Sequence, residues 1–364
     1  MAHSDRLLMG PGPCNPYPEV IEAFGRPLLG HLDPEFIDLL DETNDRLRAV
    51  FLTANALTFP MSATGSAGME ATFCNVLAPG EVVVIGVNGV FGERMCDVAD
   101  RLGAEVVRVD AEWGQAIEPQ RMLDAHPGPK VIAIVHAETS TGVRNDLEEI
   151  GAGKGDALFL VDCVTSLAGI PLEIDAWGVD LAYSGTQKCI GVPPGLSPVT
   201  VSQRAIEGFV ERSPSWYLDL SMIADYVAGG STRAYHHTAP ISMVYALHAG
   251  LGVILEEGLG NAQARHRACG EKLQLGLQEM GFELFAQEGH RLPELTSVRI
   301  PLDRLPEGMG EAGVRRLLLD RYGIEIGGGL GPVAGQVWRI GCMGHTARPR
   351  NVTLLLGALA EILL

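Results

Sequence analysis

Basic residues are scarce in this 364-residue chain: 27 lysines and arginines stand against 45 aspartates and glutamates, for a formal charge of −18. Such a balance repels nucleic acid and anionic membrane surfaces, and neither is expected as a partner. A site for an anion must be built locally. The seven cysteines, Cys14, Cys74, Cys96, Cys163, Cys189, Cys269 and Cys342, are odd in number, scattered and without Cys-x-x-Cys spacing. That argues against a disulfide framework or a thiolate metal site and fits a reducing cytosol. No apolar run approaches the length that spans a bilayer. The N-terminal MAHSDRLLMGPGP has no basic segment followed by an apolar one, and the C-terminal EILL is no peroxisomal signal, so a cytoplasmic protein is expected. An early GxGxxG is missing, which disfavours a nicotinamide dehydrogenase. His236 and His237 come without HExxH or a third ligand, and as neighbours on one strand they would point to opposite faces; no metal is expected.

What the chain does contain is alternation. Its length suits a major and a minor domain. EVVVIGV (81–87), AEVVRVD (104–110) and VIAIVHAET (131–139) are short β-branched runs separated by helical or polar stretches, the pattern of a doubly wound α/β domain whose strand ends share one edge. Pro34 to Leu52 places Phe36, Leu39, Leu40, Leu47, Val50 and Phe51 at near-helical spacing and predicts an amphipathic helix. LTFPMSATGSAGMEATFCNVLAPG (57–80) reads as strand, small-residue turn and helix, with Gly65, Ser66 and Ala67 offering backbone N–H groups to a phosphate.

Two further stretches carry the chemistry. ALFLVDCVTS (157–166) is a continuous apolar run that delivers Asp162 at the C-terminal edge of a buried parallel strand. YSGTQKCIGVPPGLS (183–197) fences Lys188 with small residues, glycines and prolines, where an ammonium is partly desolvated and becomes a nucleophile. An acid and an amine facing one crevice suit pyridoxal phosphate: the lysine forms an imine and the carboxylate keeps the pyridine nitrogen protonated. Three more candidates fall at the same edge. Phe91 packs in the core or, in a position that resembles that of a ring-stacking aromatic in known cofactor enzymes, stacks on a cofactor ring; Thr139 bonds the ring's phenolic oxygen or the phosphate region, and Gln187 donates to the phosphate or is solvated. Glu138 reads as a local structural acid. Arg339, on a late strand, offers the planar fork that grips a carboxylate.

DCVTS followed by YSGTQKCIGVPPGLS resembles the class V branch of the fold-type I pyridoxal-phosphate enzymes, and within it the alanine–glyoxylate and serine–glyoxylate aminotransferases. GGGLGPVAGQVWRIGCMG (327–344) is similar to the family's segment around Arg339. The resemblance implies an α/β fold with a mostly parallel, seven-stranded type of sheet in a large domain (21–257), a smaller α/β domain (258–364) and an N-terminal arm (1–20). It also implies that the arm runs into the active site, where Gly10 and Gly12 let backbone approach the substrate; a simple tether is the alternative. YHHT resembles a motif whose tyrosine and threonine, here Tyr235 and Thr238, reach the phosphate of the neighbouring subunit in a homodimer with shared sites. The implied reaction moves an amino group from alanine or serine to glyoxylate or pyruvate in two ping-pong halves, with Lys188 as the proton shuttle. A desulfurase would need a mobile cysteine near the late glycine-rich loop, and GGGLGPVAGQ has none. A non-catalytic binding protein of the same fold is the remaining rival, opposed by Lys188, Asp162 and Arg339.

Overall fold

The computed structural model describes residues 5–227 and 233–363. The first four residues of the arm and Gly229–Thr232, at the head of GGSTRAYHHTAPIS, lie outside the described residues.

Apolar β-branched runs form the centre of the large domain. Its strands are β1 (Leu57–Met61), β2 (Val82–Val87), β3 (Glu105–Asp110), β4 (Val131–Val135), β5 (Leu158–Asp162), β6 (Leu181–Tyr183) and β7 (Ser197–Val201), in the order β1-β7-β6-β5-β4-β2-β3. The pairs among β6, β5, β4, β2 and β3 are parallel, and β7 runs antiparallel to both of its neighbours. Residues of β1, β4, β5, β6 and β7 are buried throughout, because helices cover both faces of a sheet with crossover connections. The parallel strands end together, and β5 and β6 are in register so that Asp162 lies beside Tyr183.

Helix α1 (Pro34–Phe51) follows the expected stripe, burying Phe36, Leu40, Leu47, Val50 and Phe51. Asp33 caps its start by accepting from Glu35 N, and Leu52 ends it in the left-handed region at φ 54°. Helices α2 (Gly65–Cys74) and α3 (Val90–Arg101) follow β1 and β2, so each begins at the edge where the strands end. Helix α4 (Ile241–Glu257) packs on α1, and at Gly258 the chain turns into α5 (Leu259–Glu279).

The smaller domain is built on β8 (Leu295–Arg299), β9 (Gly327–Gly328) and β10 (Val337–Gly341), with β10 central and antiparallel to both others. With α6 (Glu311–Tyr322), α7 (Pro349–Leu363) and part of α5 it buries a second core that includes Leu273, Val298, Leu318, Trp338 and Leu355. Met9 belongs to that core too. The arm is thus zipped to the smaller domain: Leu7–Leu8 pairs in parallel with Ile324–Glu325, and Met9 O accepts from Gly341 N at 2.8 Å. It then crosses to the large domain, where Cys14 N donates to Gln187 O at 3.0 Å.

Candidate active site

The strand ends and the starts of α2 and α3 enclose a cavity of about 330 Å³. Gly65, Ser66, Phe91, Thr139, Asp162, Gln187 and Lys188 line it, together with Thr64, Met69, Arg94, Val135, Ala137, Val164, Thr165 and Tyr183. Residues spread over more than a hundred positions meet there because the parallel topology puts the C-terminal ends of the parallel strands on one side.

Lys188 lies in a tight turn five residues beyond the end of β6. Thr186 Oγ1 donates to Pro193 O at 2.7 Å and Gly191 N to Lys188 O at 3.0 Å, and these bonds close the turn. Gly191 has φ +73°, and a Cβ there would sit 2.3 Å from the Tyr17 ring. The amine itself donates to the carbonyl of Pro11 in the arm. It is 8% exposed, and burial, followed by the nearby Arg339 charge, pushes it down to about 8.

Asp162 ends β5 and is pushed up to about 6 by burial, against opposing hydrogen bonds. Its Oδ1 accepts from Val164 N at 2.8 Å and its Oδ2 from the Tyr183 hydroxyl at 2.7 Å. Tyr183 went unassigned in the sequence; its signal is the register that sets it beside Asp162.

At the start of α2 no side chain caps the helix. The N–H groups of Gly65 and Ser66 have no acceptor inside it and are free for an anion. Ala67 differs from expectation, because its N–H is already bonded to Thr64 O at 2.9 Å. At Gly65 a Cβ would press on Val164 at 3.1 Å and Ser184 O at 3.3 Å, so the turn needs glycine to sit this close to β6. The Gln187 carboxamide faces the same place with Oε1 buried and unpartnered. Arg94, missed in the sequence, adds a cation: its guanidinium is 5.0 Å from the Phe91 ring centroid and donates to Ser66 Oγ at 3.3 Å. The i, i+3 spacing from Phe91 on a helix opening at the strand edge was the available signal.

Phe91 both lines the cavity and packs on the large core. Glu138 holds it in place. Fully buried, Glu138 accepts from Phe91 N at 3.1 Å, Gly92 N at 3.4 Å and Ser140 Oγ at 2.6 Å, which seats its carboxylate at the start of α3. Burial pushes that carboxyl up to about 7.

Arg339 is 6% exposed and borders the cavity through Thr139: Nη1 donates to Thr139 O at 3.2 Å and Nε to Gly328 O at 2.7 Å. Nη2 is left for a ligand. Burial pushes the guanidinium down to about 10. Of the arm's two glycines only Gly12 reaches the amine; at φ +106°, a Cβ there would lie 2.7 Å from Lys188 Nζ. Gly10 instead packs on Glu325 to Gly327, and the close neighbour it needs is Gly341, where a Cβ would meet Gly10 O at 2.1 Å.

Tyr235 and Thr238 stand outside this chain's own cavity, joined by a 3.2 Å hydroxyl contact, with Tyr235 55% exposed. The segment between them is not a strand, and His236 and His237 do not point to opposite faces: their Nδ1 atoms are 2.7 Å apart. Among the described residues no three His, Cys, Asp or Glu side chains form a metal cluster. Cys342 is fully buried just after β10, out of reach as a mobile nucleophile.

Over residues 21–337 the chain matches the family described as aminotransferase class-V. It belongs to that family. The (S)-ureidoglycine–glyoxylate transaminase of Bacillus subtilis is 36% identical over 99% of this chain and 91% of its own. The alanine–glyoxylate aminotransferase of Drosophila melanogaster is 38% identical over 98% of this chain and 92% of its own. Among solved structures, the alanine–glyoxylate aminotransferase from Nostoc sp. superposes with a TM-score of 0.95 at 46% identity, covering 100% of this chain and 97% of that one. A class-V aminotransferase works with pyridoxal phosphate, and the residues present fit that group. The two free N–H groups at α2, Arg94 and the Gln187 carboxamide, whose nitrogen can donate, mark the end that takes a phosphate; Lys188 and Asp162 mark the end that takes the ring.

Proposed function

We propose that this aminotransferase moves an amino group from a small amino acid, alanine or serine, to a small 2-oxo acid, glyoxylate or pyruvate. The observation that carries the reading is the placement of one desolvated amine, Lys188, between a buried acid and a buried arginine. Pyridoxal phosphate bound here supplies an aldehyde that bonds amines and a ring that accepts electrons.

The protein's own residues do the rest. Asp162, braced by Tyr183 and Val164 N, stands at the end of β5 to hold a proton on the ring nitrogen. Gly65 N, Ser66 N, Arg94 and Gln187 bind the phosphate, while Phe91 stacks on one ring face and Val164 closes the other. Thr139 bonds the ring's phenolic oxygen. Arg339 presents Nη2 to the substrate carboxylate beside Pro11 and Gly12, which orients the Cα–H bond across the ring. Lys188 Nζ, beside the Pro11 carbonyl and pushed down to about 8, would take that proton and give it back when the cofactor is bound. The amino group stays on the enzyme between the two halves, so ping-pong kinetics follow.

Tyr235 and Thr238 are assigned to the phosphate of a partner subunit in a homodimer. Their exposure supports this, as does a belt of exposed apolar side chains at Ile21, Leu28, Leu32, Trp216 and Tyr217 that a second copy would cover. Seven free, buried cysteines support the cytoplasm as its compartment.

Two glyoxylate-using relatives with different donors give the donor question a specific second answer, (S)-ureidoglycine. The test is a screen of alanine, serine and (S)-ureidoglycine against glyoxylate and pyruvate. Parallel double-reciprocal lines with alanine or serine and glyoxylate are expected. Turnover confined to (S)-ureidoglycine reassigns the donor, and no turnover with any pair overturns the reading.

A further inference from the structure

The two histidines between Tyr235 and Thr238 form a chain whose proton order can be read atom by atom. His236 Nε2 lies 3.2 Å from Trp216 O, and a carbonyl only accepts, so this nitrogen carries hydrogen. In the neutral ring Nδ1 of His236 is then an acceptor. His237 Nδ1, 2.7 Å away, must be the donor, which leaves His237 Nε2 to accept from Ser62 Oγ at 2.7 Å. Ser62 is three residues ahead of Gly65, in the turn that leads to the phosphate-binding start of α2. The Tyr217 hydroxyl bonds the Ser62 carbonyl at 2.9 Å, and His236 stacks on Trp216 with centroids 4.4 Å apart.

We propose that the Ser62–His237–His236–Trp216 chain is a positioning device for cofactor binding, which fixes Tyr235 and Thr238 in the arrangement that completes the partner subunit's phosphate site. The inference rests on the cross-subunit assignment made above. Both flanking side chains belong to a segment without helix or strand, held on its N-terminal side by Ala234 N donating to Asp225 O at 3.2 Å and by Arg233, and between Tyr235 and Thr238 by the two rings. One added proton is tolerated on His237 Nε2, because Ser62 Oγ can accept as well as donate. A second, on His236 Nδ1, sets N–H against N–H and breaks the chain. Burial and the neighbouring His236 push His237 below its ordinary value. The other titratable groups facing the pair are the phenols of Tyr217 and Tyr226, with Arg233 nearby and paired to Asp41. His31 lies against Tyr235. The chain is therefore intact at neutral pH, and acid enough to protonate both rings breaks it.

The test is the apparent Kd for pyridoxal phosphate, titrated by absorbance into apoenzyme at pH 8 and down to pH 5. His236→Phe keeps the stack on Trp216 and removes both ring nitrogens. His236→Gln loses the aromatic stack but supplies one acceptor and one donor and cannot titrate. The expected result is about ten-fold weaker binding for His236→Phe, near wild-type binding for His236→Gln at pH 8, and a flatter acid limb for His236→Gln than for wild type. Ser62→Ala, at the other end of the chain, weakens binding about three-fold or more. A His236→Phe enzyme that binds as tightly as wild type, or a His236→Gln enzyme as loose as His236→Phe, overturns the proposal. Tyr235→Phe with Thr238→Ala separates the two claims. If that pair loosens the cofactor while His236→Phe and Ser62→Ala do not, the cross-subunit assignment stands and the histidine chain is wrong. If the pair has no effect, the assignment fails and takes the chain's role with it.

Discussion

Desolvation lowers Lys188 to about 8 and raises Asp162 to about 6, because burial penalises whichever form carries charge. The lysine shift brings an amine toward the working pH, as proton shuttling requires, while Asp162 at about 6 stays mostly ionised at neutral pH, as holding a proton on the ring nitrogen requires. Arg339 is less forgiving. A lysine there would keep the charge and lose the fork that bonds Gly328 O and Thr139 O while gripping a carboxylate. Arg339→Lys is expected to raise KM for both the amino acid and the oxo acid by about 10–100-fold, measured in steady-state assays of each half-reaction. Glu294 has no part in the chemistry, yet it is fully buried with neither oxygen partnered, and burial pushes it from 4.5 up to about 8. The folded protein holds this proton more tightly than the unfolded chain does, so stability falls as pH rises from 4.5 toward 8. Glu294→Gln cannot lose that proton. Melting curves should show the variant gaining on wild type by a few degrees at pH 9 and by little at pH 5. Lys188 and Asp162 were legible in the sequence because an amine or an acid at the end of an apolar run has few structural reasons to be there. Arg94, Tyr183 and Glu294 were not, since an arginine on a helix, a tyrosine on a strand and a glutamate in a loop take their meaning only from what tertiary packing puts beside them.

At the level of elements, the arm matters as much as any helix. Leu7–Leu8 and Met9 fasten it to the smaller domain, and Pro11 and Gly12 then cover the lysine from the other side. Gly12 combines a φ of +106° with a Cβ position 2.7 Å from Lys188 Nζ. Gly12→Ala therefore meets backbone strain of about 1–2 kcal/mol and a collision with the amine. A fall in kcat of ten-fold or more is expected, measured at saturating cofactor, whereas Gly10→Ala, whose Cβ would make only ordinary contacts at 3.6 Å or more, should change kcat by less than about three-fold. The long elements were readable in advance: α1 from its apolar spacing and the central strands from their β-branched runs. The two-residue pairings at Leu7–Leu8, Ile324–Glu325 and Gly327–Gly328 were not, because two residues carry no alternation, and Leu7–Leu8 finds its partner more than 300 residues away. The histidine pair misled for a related reason. Its segment was treated as a strand, whereas the chain there follows hydrogen bonds from side chains rather than a ladder.

Taken whole, the molecule is acidic, and yet it gathers Arg94, Lys188 and Arg339 around one cavity, which answers the need for a locally built anion site. The arm and Arg339 belong with the smaller domain, and Lys188 and Asp162 with the larger, so substrate contacts and cofactor contacts come from different bodies. The proposed homodimer would add Tyr235 and Thr238 from a third source, and in that case the cofactor should leave more readily on dilution to the monomer. All of this depends on Nζ of Lys188 bonding the cofactor's aldehyde carbon. The direct measurement is borohydride reduction of the cofactor-loaded enzyme followed by peptide mass spectrometry. The account predicts a phosphopyridoxyl group fixed to the peptide that carries Lys188, and its absence from a Lys188→Ala protein. A loaded, reduced enzyme whose Lys188 peptide is unmodified, or a Lys188→Ala protein that still turns over, would contradict it.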